Sequence, residues 1–163
     1  MNLELIEINC VDVPNYIPDF LQIKYSNIPN AGLGIFTNRV VKAGTFLCNY
    51  MGEIIEDGQT VNQSSEYKFS SNRLNKNFII DAYDINKSNY TRFINCSSSN
   101  EDENVMGIRY ASNNTNSSVF TTKNGKQIDI EGYIFFFAKR QIEEGEELLY
   151  NYGDSYRKKL GIA

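Results

Sequence analysis

Gly145-Glu146-Glu147-Leu148-Leu149-Tyr150-Asn151-Tyr152-Gly153-Asp154 is the stretch on which the reading of this chain turns. Leu148 to Tyr152 reads as a short strand, entered from an acidic run and left through a glycine. Upstream of it, Tyr133 to Ala138 is an apolar, aromatic run of the kind that forms a buried strand. Taken alone, an aromatic at strand spacing is more often a core residue than a catalytic one.

The same texture extends towards the N-terminus. Leu3 to Ile8 and Leu21 to Tyr25 alternate apolar and polar residues, as half-buried strands do, with Pro14 and Pro18 between them. Ile28 to Gly32 is a loop, and Gly34 to Thr37 and Thr45 to Met51 are expected strands joined by a turn at Lys42-Ala43-Gly44. Ile54-Ile55 is expected to continue the second of these strands after Gly52. Tyr67 and Phe69 stand at strand spacing in a polar stretch, and Phe78 to Ile80, ending in Asp81, suits a short buried strand. Asn89 to Ile94 is the one expected helix. Residues 97–118 read as a mobile Ser- and Asn-rich loop around a strand at Met106 to Tyr110. Asn124-Gly125 between Val119–Thr122 and Gln127–Ile130 is a strong hairpin signal. Many short strands, frequent turns and little helix predict a mainly-β fold of several small sheets.

Bulk properties narrow the chemistry. The 163 residues suit one ordinary domain, and 41% hydrophobic with 22% charged residues is a globular balance. Histidine is absent, which removes any mechanism that needs an imidazole base. Cys10, Cys48 and Cys96 are far apart, so they are expected as reduced thiols in an intracellular protein, with no structural zinc site. Met1 to Asn9 carries two glutamates and no basic n-region, which argues against a secretory signal, and no apolar run is long enough to span a membrane. With a net charge of -4, the chain is poorly suited to direct nucleic-acid binding and better matched to a basic peptide. The acidic clusters at Glu56-Asp57, Glu101 to Glu103 and Glu143 to Glu147 also admit the plainer reading of a solvated surface.

Four segments, read together and in order, carry more than any one of them. They are Ala31-Gly32-Leu33-Gly34-Ile35-Phe36, Tyr50-Met51-Gly52-Glu53-Ile54-Ile55, Arg92-Phe93-Ile94-Asn95-Cys96-Ser97, and the C-terminal block from Phe136 to Asp154. The first is only a Gly-x-Gly, and it lacks the third glycine and the βαβ setting of a dinucleotide site. The set resembles the SET family of lysine methyltransferases over about residues 20–156. Among them it is most similar to compact histone-tail enzymes that add a single methyl group, with which it shares Asn-Ala-Gly-Leu-Gly and Glu-Leu-Leu-Tyr-x-Tyr-Gly-Asp. Small viral SET proteins are similar in size.

The resemblance implies a SET-domain, β-clip-like fold with a C-terminal pseudoknot. It divides the chain into a flanking segment at 1–19, the SET domain at 20–156 and a short tail at 157–163 without a Cys-rich zinc-bound segment. It also implies S-adenosyl-L-methionine as methyl donor, with S-adenosyl-L-homocysteine as product. Gly32, Leu33 and Gly34 would lie against the cofactor's methionine end, and Tyr67 on the cofactor side. Arg92, Asn95 and Cys96 would belong to the cofactor-binding segment, with Asn95 on the amino-acid part. Tyr152 would be the catalytic tyrosine, also touching the cofactor, and Tyr50 and Tyr150 the walls of a lysine channel. Tyr rather than Phe at 150 points to mono- or dimethylation. Tyr156 is expected to cover part of the cofactor or channel, with Arg157, Lys158 and Lys159 solvated; the competing reading is a frayed tail. The implied partner is a lysine-containing basic peptide such as a histone tail, in the nucleus or a viral host cell, and the oligomeric state stays open. Cys96 departs from the family's usual His, which keeps a rival in play: a catalytically inactive SET-like module that binds basic peptides. A purely structural β protein is the third reading, and the ordered motifs oppose it.

Overall fold

Turn-forming residues interrupt the apolar pattern every few positions, and the fold follows that punctuation: twelve strands among the described residues, none longer than six residues. The computed structural model describes residues 10–59, 66–112, 118–121, 125–159 and 161. The strand expected at Leu3 to Ile8 and the Lys123-Asn124 tip of the hairpin lie outside these. The fold is mainly β, in several small sheets with little helix, as the sequence pattern predicts. The chain divides into two units. One comprises Met1–Tyr16, Cys48–Arg92 and Ile108–Phe135, and the other Ile17–Leu47, Phe93–Gly107 and Phe136–Ala163.

In the second unit, β1 (Leu21–Tyr25) pairs antiparallel with β2 (Leu33–Thr37), Ile23 opposite Ile35. β3 (Phe46–Asn49) begins in this unit, after a turn where Gly44 takes φ +82°. In the first unit, β4 (Glu53–Glu56), β5 (Lys68–Arg73) and β6 (Lys76–Asp81) form an antiparallel sheet of order β4-β6-β5. Ile54-Ile55 therefore does not continue β3. The chain changes sheet at Gly52, where a Cβ would stand 2.6 Å from the carbonyl of Asp81, so only glycine allows this close passage. A tight turn at Leu74-Asn75, both at positive φ, joins β5 to β6 without a glycine.

β7 (Asn95–Cys96), β8 (Val105–Arg109), β11 (Ile134–Ala138) and β12 (Leu149–Tyr150) join β3 in a five-stranded sheet of order β3-β11-β8-β12-β7. β9 (Val119–Thr121) and β10 (Gln127–Asp129) make the expected antiparallel hairpin. The C-terminal strand β12 inserts between β7 and β8, parallel to both, with Leu149 opposite Asn95 and Tyr150 opposite both Cys96 and Val105. Ile35, Phe135, Phe136, Ile142 and Leu148 are completely buried.

The helical content differs from expectation. Asn89 to Ile94 yields only a 3-10 turn at Tyr90–Phe93, and a second one forms at Ile85–Lys87, where the Asp84 side chain accepts from Asn86 N. Among the described residues, the α-helix is α1, Asp154–Lys159, in the C-terminal segment for which both order and fraying were open expectations. Its acid opens the first turn and its three cations close the last, which suits the helix dipole.

Candidate active site

The two glycines of Gly32-Leu33-Gly34 are required for different reasons. Gly32 adopts φ +73° with open space around it, so its need is conformational. Gly34 is buried at the start of β2, and a Cβ there would stand 2.3 Å from Oε1 of Glu147 and 3.3 Å from Nδ2 of Asn95. That space is taken by a polar cluster. Glu147 is only 7% exposed. Its Oε1 accepts from Ser26 Oγ (2.6 Å) and Asn95 Nδ2 (3.1 Å), and its Oε2 from the backbone N–H of Asn27 (3.0 Å). Asn95 Nδ2 also donates to the Leu33 carbonyl at 3.0 Å. Buried carboxylates are rare without this kind of compensation.

Asn104 sets the backbone that carries Glu147. Its Nδ2 donates to Glu147 O and its Oδ1 accepts from Leu149 N, both at 2.8 Å. The chain then presents a ladder of phenols: Tyr150 and Tyr152 have ring centroids 4.4 Å apart, and Tyr152 and Tyr156 4.7 Å apart. The Tyr152 hydroxyl donates to Ile94 O at 2.5 Å. Cys96 is buried opposite Tyr150, its thiol 3.5 Å from Ser97 O.

Arg157 corrects an expectation. It is buried rather than solvated, and its guanidinium donates to Ser97 O (3.0 Å), Ser97 Oγ (2.6 Å) and Ser99 O (3.3 Å). These bonds tie α1 to the segment after β7 and hold Tyr156 in the phenol ladder; Lys158 and Lys159 are exposed, as expected. The segment it grips is itself a built turn, in which both Asp102 oxygens accept from Ser98 and Ser99. Burial works to raise the Asp102 carboxyl, but these bonds outweigh it and hold the group below the usual carboxylate range. Removing several hydrogen bonds to a buried cation is expected to cost about 1.5–3 kcal/mol for Arg157→Ala. The corresponding fall in Tm is about 3–12 °C, with faster amide exchange confined to residues 154–159. Unchanged exchange there would refute the clamp.

The remaining predicted residues lie in the first unit. The buried Tyr50 donates its hydroxyl to Tyr67 O at 2.8 Å and packs its ring 5.5 Å from Phe69. Arg92 stands 4.1 Å over the Tyr67 ring, with Nε donating to Ala82 O (2.8 Å) and Nη2 to Tyr83 O (3.1 Å). A cavity of about 420 Å³ in this unit is lined by residues that include Asn49, Tyr50, Met51, Gly52 and Tyr133. A larger one of about 640 Å³, lined by Ile54, Leu74, Phe78 and others, touches none of the predicted site residues. Among the described residues, no three His, Cys, Asp or Glu side chains gather as a metal site, and no helix is long and apolar enough to cross a membrane.

The structure thus brings together Leu33, Gly34 and Asn95, joins Tyr150 with Tyr152 and Cys96, and joins Tyr50 with Tyr67 and Arg92. Sequence reasoning missed Ser26, Asn104, Glu147 and Arg157. Glu147 was visible as part of Gly-Glu-Glu-Leu, but its partners Asn95, Asn27 and Ser26 stand 52, 120 and 121 residues away, where no local pattern reveals them.

Residues 32–153 match the SET domain family, and the chain belongs to that family. It is 29% identical over 147 residues to the histone-lysine N-methyltransferase PRDM7 of Homo sapiens, covering 90% of this chain and 26% of that protein. It is 27% identical to the histone-lysine N-methyltransferase set-17 of Caenorhabditis elegans, covering 86% and 43%. The histone-lysine N-methyltransferase EHMT1 of Homo sapiens is 30% identical over 77% of this chain and 8% of its own length. The chain therefore spans less than half of each relative.

Proposed function

We propose that the chain is an S-adenosyl-L-methionine-dependent protein-lysine N-methyltransferase acting on a basic, lysine-containing peptide such as a histone tail. The observation that carries this reading is the cluster of Gly34, Asn95 and Glu147, in which a buried carboxylate and the amide it holds stand in the space that a side chain at 34 would take. The negative charge behind the Asn95 amide suits a ligand that brings a cationic amino group to Asn95. Gly32, Leu33, Gly34 and Asn95 would hold the amino-acid end of the cofactor, and Tyr67, Arg92 and Cys96 are proposed as its further contacts. When bound, the cofactor supplies an electrophilic methyl group on a sulfonium.

The chain's own residues do the rest. The nucleophile must be a neutral amine, whereas free lysine has a pKa of about 10.4. Aromatic walls proposed at Tyr50 and Tyr150 would strip water from the ammonium and favour loss of its proton, which water can carry away. No imidazole base is needed, in keeping with a chain that has no histidine. Tyr152 is proposed to align the amine, since its hydroxyl is already fixed by Ile94 O and its ring is flanked by Tyr150 and Tyr156. Positioning of this kind can be worth about 7–11 kcal/mol. The net charge of -4 favours a basic substrate. A histone substrate would make the nucleus, or the chromatin of a viral host, the place of action.

Tyr150 gives the reading a product. Its hydroxyl can hold a water in the space that a methylated amine needs, so mono- or dimethylation is proposed. Tyr150→Phe is expected to move the product distribution of a peptide substrate one or two methyl groups upwards by mass spectrometry. Efficient trimethylation by the native chain would refute this.

Cys96 favours one competing reading, the peptide-binding module without catalysis. Calorimetry with S-adenosylhomocysteine, paired with methyl transfer to a histone mixture, separates the two. Binding together with transfer supports the enzyme. Binding without transfer supports the module, and complete absence of binding revives the reading as a purely structural β protein.

A further inference from the structure

The cluster around Asn95 has an internal logic. An asparagine amide carries two donors on nitrogen and acceptor lone pairs on oxygen. The two Nδ2 contacts of Asn95 are to the Leu33 carbonyl at 3.0 Å and Glu147 Oε1 at 3.1 Å. A carbonyl and a carboxylate have no proton to give. Rotating the amide by half a turn would therefore set oxygen against two oxygens, and the arrangement fixes the flip. With the nitrogen turned inwards to these partners, Oδ1 faces away from them.

Glu147 is the stronger of the two anchors because it cannot move aside. Ser26 Oγ and Asn27 N hold its two oxygens at 2.6 and 3.0 Å. Gly34 packs against the same carboxylate so closely that no Cβ fits between them. The negative charge also favours a cation arriving beside Asn95, more so in a half-buried setting than in open water.

We infer that Glu147 is a positioning residue that locks the Asn95 amide with its oxygen outward, so that the site selects a ligand bearing an ammonium donor. This rests on the cofactor reading above and goes beyond it, because it assigns the recognition of the cofactor's α-amino group to a carboxylate that need not touch the cofactor.

The test compares two ligands on two proteins by calorimetry. The ligands are S-adenosylhomocysteine and its des-amino analogue, which keeps the carboxylate and the adenosine but lacks the α-amino group. The native chain should prefer S-adenosylhomocysteine, and Glu147→Gln should reduce that preference by about tenfold or more, the worth of one charged hydrogen bond. A purely structural role would weaken both ligands alike and leave the ratio unchanged, which would overturn the inference while the cofactor reading stands. Failure of the native chain to bind S-adenosylhomocysteine would overturn both.

Should Glu147→Gln not fold, the native chain itself answers by NMR. The side-chain amide signals absent from Asn95→Asp should exchange slowly and persist on binding S-adenosylhomocysteine. Fast exchange of both protons in the unliganded protein would overturn the locked amide.

Discussion

Replacing Tyr152 by phenylalanine is expected to slow methyl transfer about 10²–10³-fold, the usual effect of deleting one fixed hydroxyl from a reacting centre. The substitution is a clean one. Phenylalanine keeps the ring that lies 4.4 Å from Tyr150 and 4.7 Å from Tyr156, so the aromatic ladder survives. What disappears is the hydroxyl that donates to Ile94 O at 2.5 Å. Loss of that single bond costs about 1 kcal/mol of stability, which leaves a folded protein to assay. Single-turnover transfer at saturating cofactor and peptide reads the chemical step directly. An unaltered rate would remove Tyr152 from the reaction and leave it as a core aromatic.

Gly34→Ala is expected to act on the fold and on binding together. The new Cβ would stand 2.3 Å from Glu147 Oε1 and 3.0 Å from its Cδ. Glu147 cannot withdraw without losing Ser26, Asn27 or Asn95, so either β2 shifts or the polar cluster opens. Over-packing of this kind costs about 1–3 kcal/mol, or about 2–12 °C in Tm for a chain of this length. Affinity for S-adenosylhomocysteine should fall at least tenfold, one charged contact being worth about that much. If calorimetry found the affinity unchanged in a destabilised Gly34→Ala protein, the Glu147 cluster would be structural and unrelated to the cofactor.

These two positions differ in how legible they were. Tyr152 stands in a linear motif, and the motif named both its family and its proposed role. The strands at Leu21–Tyr25, Leu33–Thr37 and Ile134–Ala138 were legible for a simpler reason: alternation or an unbroken apolar run is a local property. Ile54-Ile55 was legible as a strand, but its sheet was not. Periodicity says nothing about partners, and the change of sheet depends on the contact between Gly52 and Asp81. The turn at Leu74-Asn75 carries no glycine, so its positive φ angles left no mark in composition.

Arg157 and Glu147 were illegible for a shared reason. A charged residue in a tail or an acidic run reads as solvated unless its partners are known, and the partners here come from distant segments. Ser97 and Ser99 receive Arg157 from 60 and 58 positions away. Ser26 and Asn27 receive Glu147 from more than a hundred. The order of the four motifs carried the family, whereas the network that supports them had to be read from the fold.

The most direct test of methyl transfer is to incubate the native chain with methyl-labelled S-adenosylmethionine and a histone mixture, then locate the label by peptide mass spectrometry. The account predicts label on lysine side chains, lost with Tyr152→Phe. Label on no lysine, from a protein that calorimetry finds saturated with cofactor, would contradict it.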